Sequence, residues 1–238
     1  MVVSKKLSYR IKQDNMSSTL FDVHEYSVNM KSREIFLHSY IHSGGSEFED
    51  EPGMDYRMGI AFIKNLSLLN NQGSSNILVH QQSCGGDWSY GMAMYDSIVA
   101  SLSSVTVLAY GQARSMSSIT LQAADLRVLM PDCDVLLHHG TLGIVDRATP
   151  VISNMFYYEN HDKPRMLEIY ARRCVKGKYF KNKKMSKSEV IDFISQKLME
   201  KTDWILPAEE AVYYGLADGV LGTKGFETYE KIRKTKIK

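Results

Sequence analysis

Three short stretches hold residue types suited to attacking a carbonyl and stabilising the oxyanion that results. The first, Ser83-Cys-Gly-Gly-Asp-Trp88, follows the apolar run Ile77-Leu-Val-His80. Gly85 and Gly86 free the backbone from Cβ clashes, so their amides can turn toward a ligand oxygen. A Gly-Gly after a strand is more commonly just a tight turn, and no Gly-Lys-Ser/Thr follows to make a phosphate loop. The second, Gly111-Gln-Ala-Arg-Ser115-Met-Ser-Ser118, joins an apolar run to a helical pattern. Ser115 falls at the helix N-terminus, where unpaired amides and the helix dipole favour developing negative charge. A serine there is most often only an N-cap, and a nucleophile needs a base. The stretch lacks the Gly-x-Ser-x-Gly pattern of α/β-hydrolases. The third, Val135-Leu-Leu-His138-His139, ends an apolar strand in two imidazoles, which are costly unless their ring nitrogens are paired. Side chains alternate along a strand, so at most one of the two faces a given site. His138, nearer the apolar run, is the candidate base. A serine–histidine pair needs an acid to fix the imidazole tautomer. Spacing leaves Asp125, Asp132, Asp134, Asp146, Asp192, Asp203 and Asp218 open for that part.

The elements that must position these groups alternate between strand and helix. Residues 33–41 are rich in β-formers, and Ser43-Gly-Gly-Ser46 breaks them before an acidic loop at 47–55. Met58, Ile60, Phe62, Ile63, Leu66 and Leu69 recur near the helical period, which predicts a helix over 55–69. Short buried strands are expected at 77–80 and 105–110, and extended segments at 126–130 and 135–138. Helices are expected at 90–102 and 115–124. Repeated strand–helix–strand order points to an α/β fold, a mostly parallel sheet with helices packed on it. The C-terminal third reads as helical at 151–175 and 186–201, with a six-lysine stretch at 176–187 taken as a solvated loop. Pro207 opens a further helix through Tyr214, Gly215 ends it, and Val220-Leu221 forms a last strand.

The chain is 238 residues long, enough for a sizeable core, and its 44% hydrophobic and 24% charged residues match ordinary globular proteins. With 29 basic and 27 acidic side chains the formal charge is +2, so nothing global draws the chain to nucleic acid or to a membrane surface. Cys84, Cys133 and Cys174 form no Cys-x-x-Cys pair, which argues against a zinc ribbon or dithiol site and for a reducing compartment. The polar N-terminus lacks the apolar core of a signal peptide, and no apolar run is long enough to span a bilayer. The expected location is the cytoplasm.

Four collinear blocks between about residue 33 and residue 221 resemble the ClpP serine peptidases. Residues 83–96 look like that family's SPGG segment and its following GxAIYD helix. Residues 111–118 are similar to the GMAASMGA nucleophile segment, and Met130-Pro-Asp-Cys-Asp-Val-Leu-Leu-His138 to the LPNxxxMIH segment. Asp203-Trp-Ile-Leu-Pro-Ala-Glu-Glu-Ala-Val-Tyr-Tyr-Gly-Leu-Ala-Asp218 resembles the DxxLSAxEAxEYGLID tail. The resemblance implies Ser115 as nucleophile, His138 as base and Asp203 as acid. The amides of Gly86 and Met116 become the oxyanion donors, and Asp218 matches a later, non-catalytic aspartate. It implies a crotonase/ClpP-like repeated ββα superhelix with a helical handle extension, acting as a serine endopeptidase on peptides or unfolded proteins. A homo-oligomeric ring is implied as well, with an ATPase unfoldase as a possible partner and no metal or organic cofactor.

On this reading residues 1–32 form an N-terminal arm or pore segment. Residues 33–222 form the peptidase domain, with a handle insertion at about 141–202, and 223–238 a basic tail. Departures from the pattern are Cys84 for the proline of SPGG, Arg114 for a small residue before the nucleophile, and Ser117 for a glycine after Met116. The spacing from Ser115 to His138 is shorter than usual and that from His138 to Asp203 longer. Of the family's glycine-rich peptide-binding strand only Gly140-Thr-Leu-Gly143 remains. A non-catalytic ring subunit and a crotonase-type acyl-CoA enzyme are the alternatives.

Overall fold

The computed structural model describes residues 16–37, 53–140 and 148–235. Residues 16–26 form a first helix, α1. There follow β1 (Val28–Asn29), β2 (Glu34–Leu37), α2 (Tyr56–Asn71), β3 (Ile77–Ser83), α3 (Trp88–Val99), β4 (Val105–Arg114), α4 (Met116–Leu121), β5 (Leu126–Leu129) and β6 (Asp134–Leu137). The remainder is α5 (Ala148–Tyr157), a π-helical turn (Tyr158–Asp162), α6 (Lys163–Cys174), α7 (Lys178–Lys183), α8 (Lys187–Lys201), β7 (Trp204–Pro207), α9 (Ala208–Tyr214), β8 (Gly219–Val220) and α10 (Tyr229–Lys234).

The fold is α/β, with a mostly parallel sheet in the order β1-β2-β3-β4-β5-β8. Among the described residues only β1–β2 and β6–β7 run antiparallel. The ten-residue β4 divides between two neighbours. Thr106–Ala109 pair with β5, and Gln112–Arg114 pair with β6. That division brings the end of β6 beside the end of β4, which is where the site lies.

Local sequence explains the helices that flank it. Asp55 caps α2 by accepting from the amides of Arg57 and Met58, and Met58, Phe62, Leu66 and Leu69 form its buried stripe. Asp87 caps α3, and Ser186 with Glu189 makes a reciprocal capping box on α8. Most apolar side chains enter one large cluster between the sheet and the helices. Alternate residues of the central strands, Leu78, Leu108, Leu126 and Val128, face the other way and are covered by Ile232 of α10 with Phe226 and Tyr229.

Several expectations are corrected. β3 and β4 run past their expected ends at 80 and 110, because Gln81 is buried with its amide bonded to the Ser117 carbonyl and Gln112–Arg114 pair with β6. The helix expected at 90–102 spans Trp88–Val99, and that at 115–124 only Met116–Leu121. The helix expected at 151–175 is interrupted by the π turn. The lysine stretch is no simple loop: it contains α7, whose Phe180 is fully buried. Strand β7 was not expected at all. The strand over 33–41 begins at Glu34; residues 38–41 of it lie outside the described residues, as do 47–52 of the acidic loop, 1–15 of the N-terminal arm, Asp146, and Thr141 to Gly143. Among the described residues no helix is long and apolar enough to cross a membrane.

Candidate active site

Ser115 is the single residue between β4 and α4, at φ 52° and ψ −125°. Few L-residues adopt positive φ, and holding one there costs about 1–3 kcal/mol. The conformation is held from both sides. The Ser115 amide donates to the Leu136 carbonyl at 2.9 Å, continuing the β4–β6 pairing. The Ser115 carbonyl accepts from the Ser118 amide at 3.0 Å and from Ser118 Oγ at 2.7 Å. A sharp strand-to-helix turn thus presents Oγ outward without the Gly-x-Ser-x-Gly motif that usually announces such an elbow.

His138 lies just past the end of β6, with its Nε2 2.7 Å from Ser115 Oγ. Its Nδ1 is 3.1 Å from Asp203 Oδ1. The β6–β7 register, which pairs Leu137 with Trp204, sets Asp203 beside His138. The structure therefore brings together the three residues singled out as nucleophile, base and acid. Asp203 is half-exposed, its side chain 54% accessible, against 26% for His138. Three of the other candidate acids are engaged elsewhere. Asp218 grips Arg127 through Nε and the main-chain amide at 3.0 and 2.8 Å. Asp134 binds Arg114, and Asp125 accepts from the Val105 amide.

The Gly-Gly loop packs directly on the elbow. Gly85 has φ +105°, and a Cβ there would sit 2.6 Å from Ser115 Cβ and 2.9 Å from the Met116 nitrogen, so no side chain is tolerated. Gly86 has φ +147°. The loop is pinned to the start of α2, because Met54 donates to the Gly85 carbonyl and accepts from the Asp87 amide at 2.8 Å. The Gly85 amide donates to Ser83 Oγ at 3.2 Å, which helps fix the turn that Cys84 interrupts. Ser117 Oγ lies 2.7 Å from the carbonyls of both Ser83 and Arg114, so its one proton stitches loop or elbow in place. Arg114 aims its guanidinium away along the sheet, donating from Nε at 2.6 Å and from Nη2 to Asp134. Its charge is therefore spent on the β4–β6 pair.

A cavity of about 470 Å³ opens over these groups. Ser115, His138, Gly86 and Met116 line it, with Trp88, Ile119 and Met166 as apolar walls and Tyr158, Asp162 and Lys163 opposite. His139 lines it too, contrary to the expectation that only one of the two histidines would. The alternation rule holds only within a strand, and β6 ends at Leu137. Both ring nitrogens of His139 are buried without a partner among the described residues. Burial, followed by the nearby Lys163 ammonium, lowers its pKa and favours the neutral ring. Sequence reasoning missed the wall from the π turn and α6, although Tyr158, Asp162 and Met166 recur every four residues. It missed β7 as well, although Trp204 and Leu206 are buried while Ile205 is exposed, a period-two signal. Among the described residues no three His, Cys, Asp or Glu side chains are grouped as metal ligands.

Residues 52–224 match the model of the family described as Clp protease. The chain is also similar to an ATP-dependent Clp protease proteolytic subunit of Deinococcus radiodurans. The two are 25% identical over 226 residues, which cover 93% of this chain and 95% of that one.

Proposed function

Because the chain belongs to the Clp protease family, we propose that it is a serine endopeptidase cutting peptides or unfolded proteins through an acyl-enzyme. Ser115 Oγ attacks the peptide carbonyl while His138 Nε2 takes its proton. Asp203 orients the imidazole through Nδ1 and stabilises it once charged. The Gly86 and Met116 amides receive the tetrahedral oxyanion, each donor contributing about 3 kcal/mol of transition-state stabilisation. His138 returns the proton to the leaving amine, and water, activated by the same imidazole, releases the acyl group. The observation that carries this reading is the continuous chain from serine through imidazole to carboxylate, with contacts of 2.7 and 3.1 Å. The mechanism calls on no metal or organic cofactor.

A fluorophosphonate probe tests it. Wild-type protein is expected to be labelled at Ser115, and Ser115→Ala and His138→Ala to resist labelling. Asp203→Asn is expected to label slowly, with a smaller loss than either because this carboxylate is half-solvated. A folded wild-type protein that forms an assembly but takes no label would overturn the reading in favour of a non-catalytic subunit.

The proposed setting is a homo-oligomeric ring. Support comes from α5, which buries no side chain and exposes Ile152 and Phe156 at 66% and 70%; apolar surface of that kind is usually covered in an assembly. Helices within 141–202 are assigned to that contact. The name of the Deinococcus radiodurans relative speaks of ATP dependence, and an ATPase unfoldase is the proposed partner here. That Cys84, Cys133 and Cys174 are not joined in disulfides supports a reducing, cytoplasmic location.

A further inference from the structure

The imidazole of His138 stands on main chain that has already left the sheet. The β4–β6 ladder ends at Leu136 and the β6–β7 ladder at Leu137. Beyond them Gly140 is exposed, with nothing among the described residues within 4 Å of the position a Cβ would take. A general base must nonetheless hold its nitrogen within a few tenths of an ångström, because small misplacements are costly in rate. Among the described residues, a group from the π turn reaches this stretch. The Tyr158 hydroxyl donates to the carbonyl oxygen of His139, the residue next to the base. A carbonyl can only accept, so the direction of the bond is fixed.

Tyr158 is the first residue of the π turn. An i→i+5 turn takes up one residue more than an α turn, and such insertions recur at functional sites. Tyr158 and Asp162 of the turn and Lys163 and Met166 of α6 all line the cavity. Burial, then the carboxylates of Glu159 and Asp162, raise the Tyr158 pKa, so the phenol keeps its proton and stays a donor into alkaline solution.

We propose that Tyr158 is a positioning residue. Through the His139 carbonyl it fixes the main chain from which His138 meets Ser115, and so ties the helical layer to the base. The importance of this tether for catalysis rests on the peptidase reading; the tether itself does not.

The test compares wild type, Tyr158→Phe and, as a control, Tyr157→Phe, which alters an exposed neighbour. Tyr158→Phe removes one hydroxyl and keeps the ring. Fluorophosphonate labelling of Ser115 is expected to slow about fivefold to tenfold, the size of one net intramolecular hydrogen bond. In peptide hydrolysis kcat is expected to fall by the same factor, with KM changed less than twofold, and Tyr157→Phe to match wild type. Amide hydrogen exchange across 138–140 is expected to quicken in Tyr158→Phe alone. An unchanged labelling rate, a loss expressed in KM rather than kcat, or unaltered exchange would overturn the proposal. If wild type takes no label, the peptidase reading falls, and the exchange result still decides whether Tyr158 holds this segment.

Discussion

Ser115 is the residue where stability and chemistry conflict. Its positive φ points Oγ at His138, and the conformation suits glycine far better than serine. Comparing Ser115→Gly with Ser115→Ala separates strain from the lost hydroxyl, since both lack the bond to His138. Ser115→Gly is expected to be the more stable by about 1 kcal/mol, the strain relief being partly offset by the freer unfolded chain. Chemical denaturation of the two variants checks this, and equal stabilities would show that the elbow carries no strain. The departures from the family pattern resolve at the same scale. Arg114 is neutralised by Asp134 along the sheet, and Ser117 joins the two segments whose amides are proposed to bind the oxyanion.

Among the elements, β7 and the helices behind it decide where the proposed acid, Asp203, sits. Asp203 precedes a strand that pairs with β6, and the far side of that strand meets an aromatic cluster. Phe193 lies 6.1 Å from Trp204 and 5.2 Å from Phe180, centroid to centroid. Phe180 is the anchor by which the lysine-rich helix α7 joins this cluster, with its lysines left in solvent. Phe180→Ala is expected to cost about 3–5 kcal/mol through the cavity it opens. Lys181→Ala and Lys184→Ala should each stay within about 0.5 kcal/mol of wild type. Thermal or urea unfolding of the three variants measures this, and a neutral Phe180→Ala would return α7 to the status of a solvated loop.

Across the whole molecule, the second face of the sheet is closed by the C-terminal segment, which connects residues far apart in the chain. Glu34 of β2 accepts from Arg233 of α10 at 3.2 Å and contacts His80, whose Nδ1 meets Tyr110 at 2.7 Å. Burial alone would raise the Glu34 carboxyl, but hydrogen bonds from His80, Tyr229 and Arg233 outweigh it and hold its pKa at about 2, against an ordinary value of 4.5. A folded-state value below the unfolded one stabilises the protein above about pH 4.5, and that contribution fades as pH falls toward about 2. Glu34→Gln should therefore lose on the order of 1–3 kcal/mol at neutral pH and progressively less in acid. Denaturation midpoints of both proteins from pH 7 to pH 2 test this, and a constant difference would contradict it.

The amino-acid sequence determined by itself what depends on near neighbours. Short apolar runs marked the cores of β3 to β6, the glycine pair marked a turn able to approach the elbow, and local pattern placed Ser115 and His138 at ends of elements. It left the acid among seven aspartates, and only the likeness to a known family singled out Asp203. What the tertiary structure decided is whatever depends on register between distant strands: the division of β4 between β5 and β6, the pairing of Leu137 with Trp204, and the Tyr158 bond across the cavity. Periodicity records which side of an element is buried. Which residue of another element lies opposite is settled only when the whole core packs.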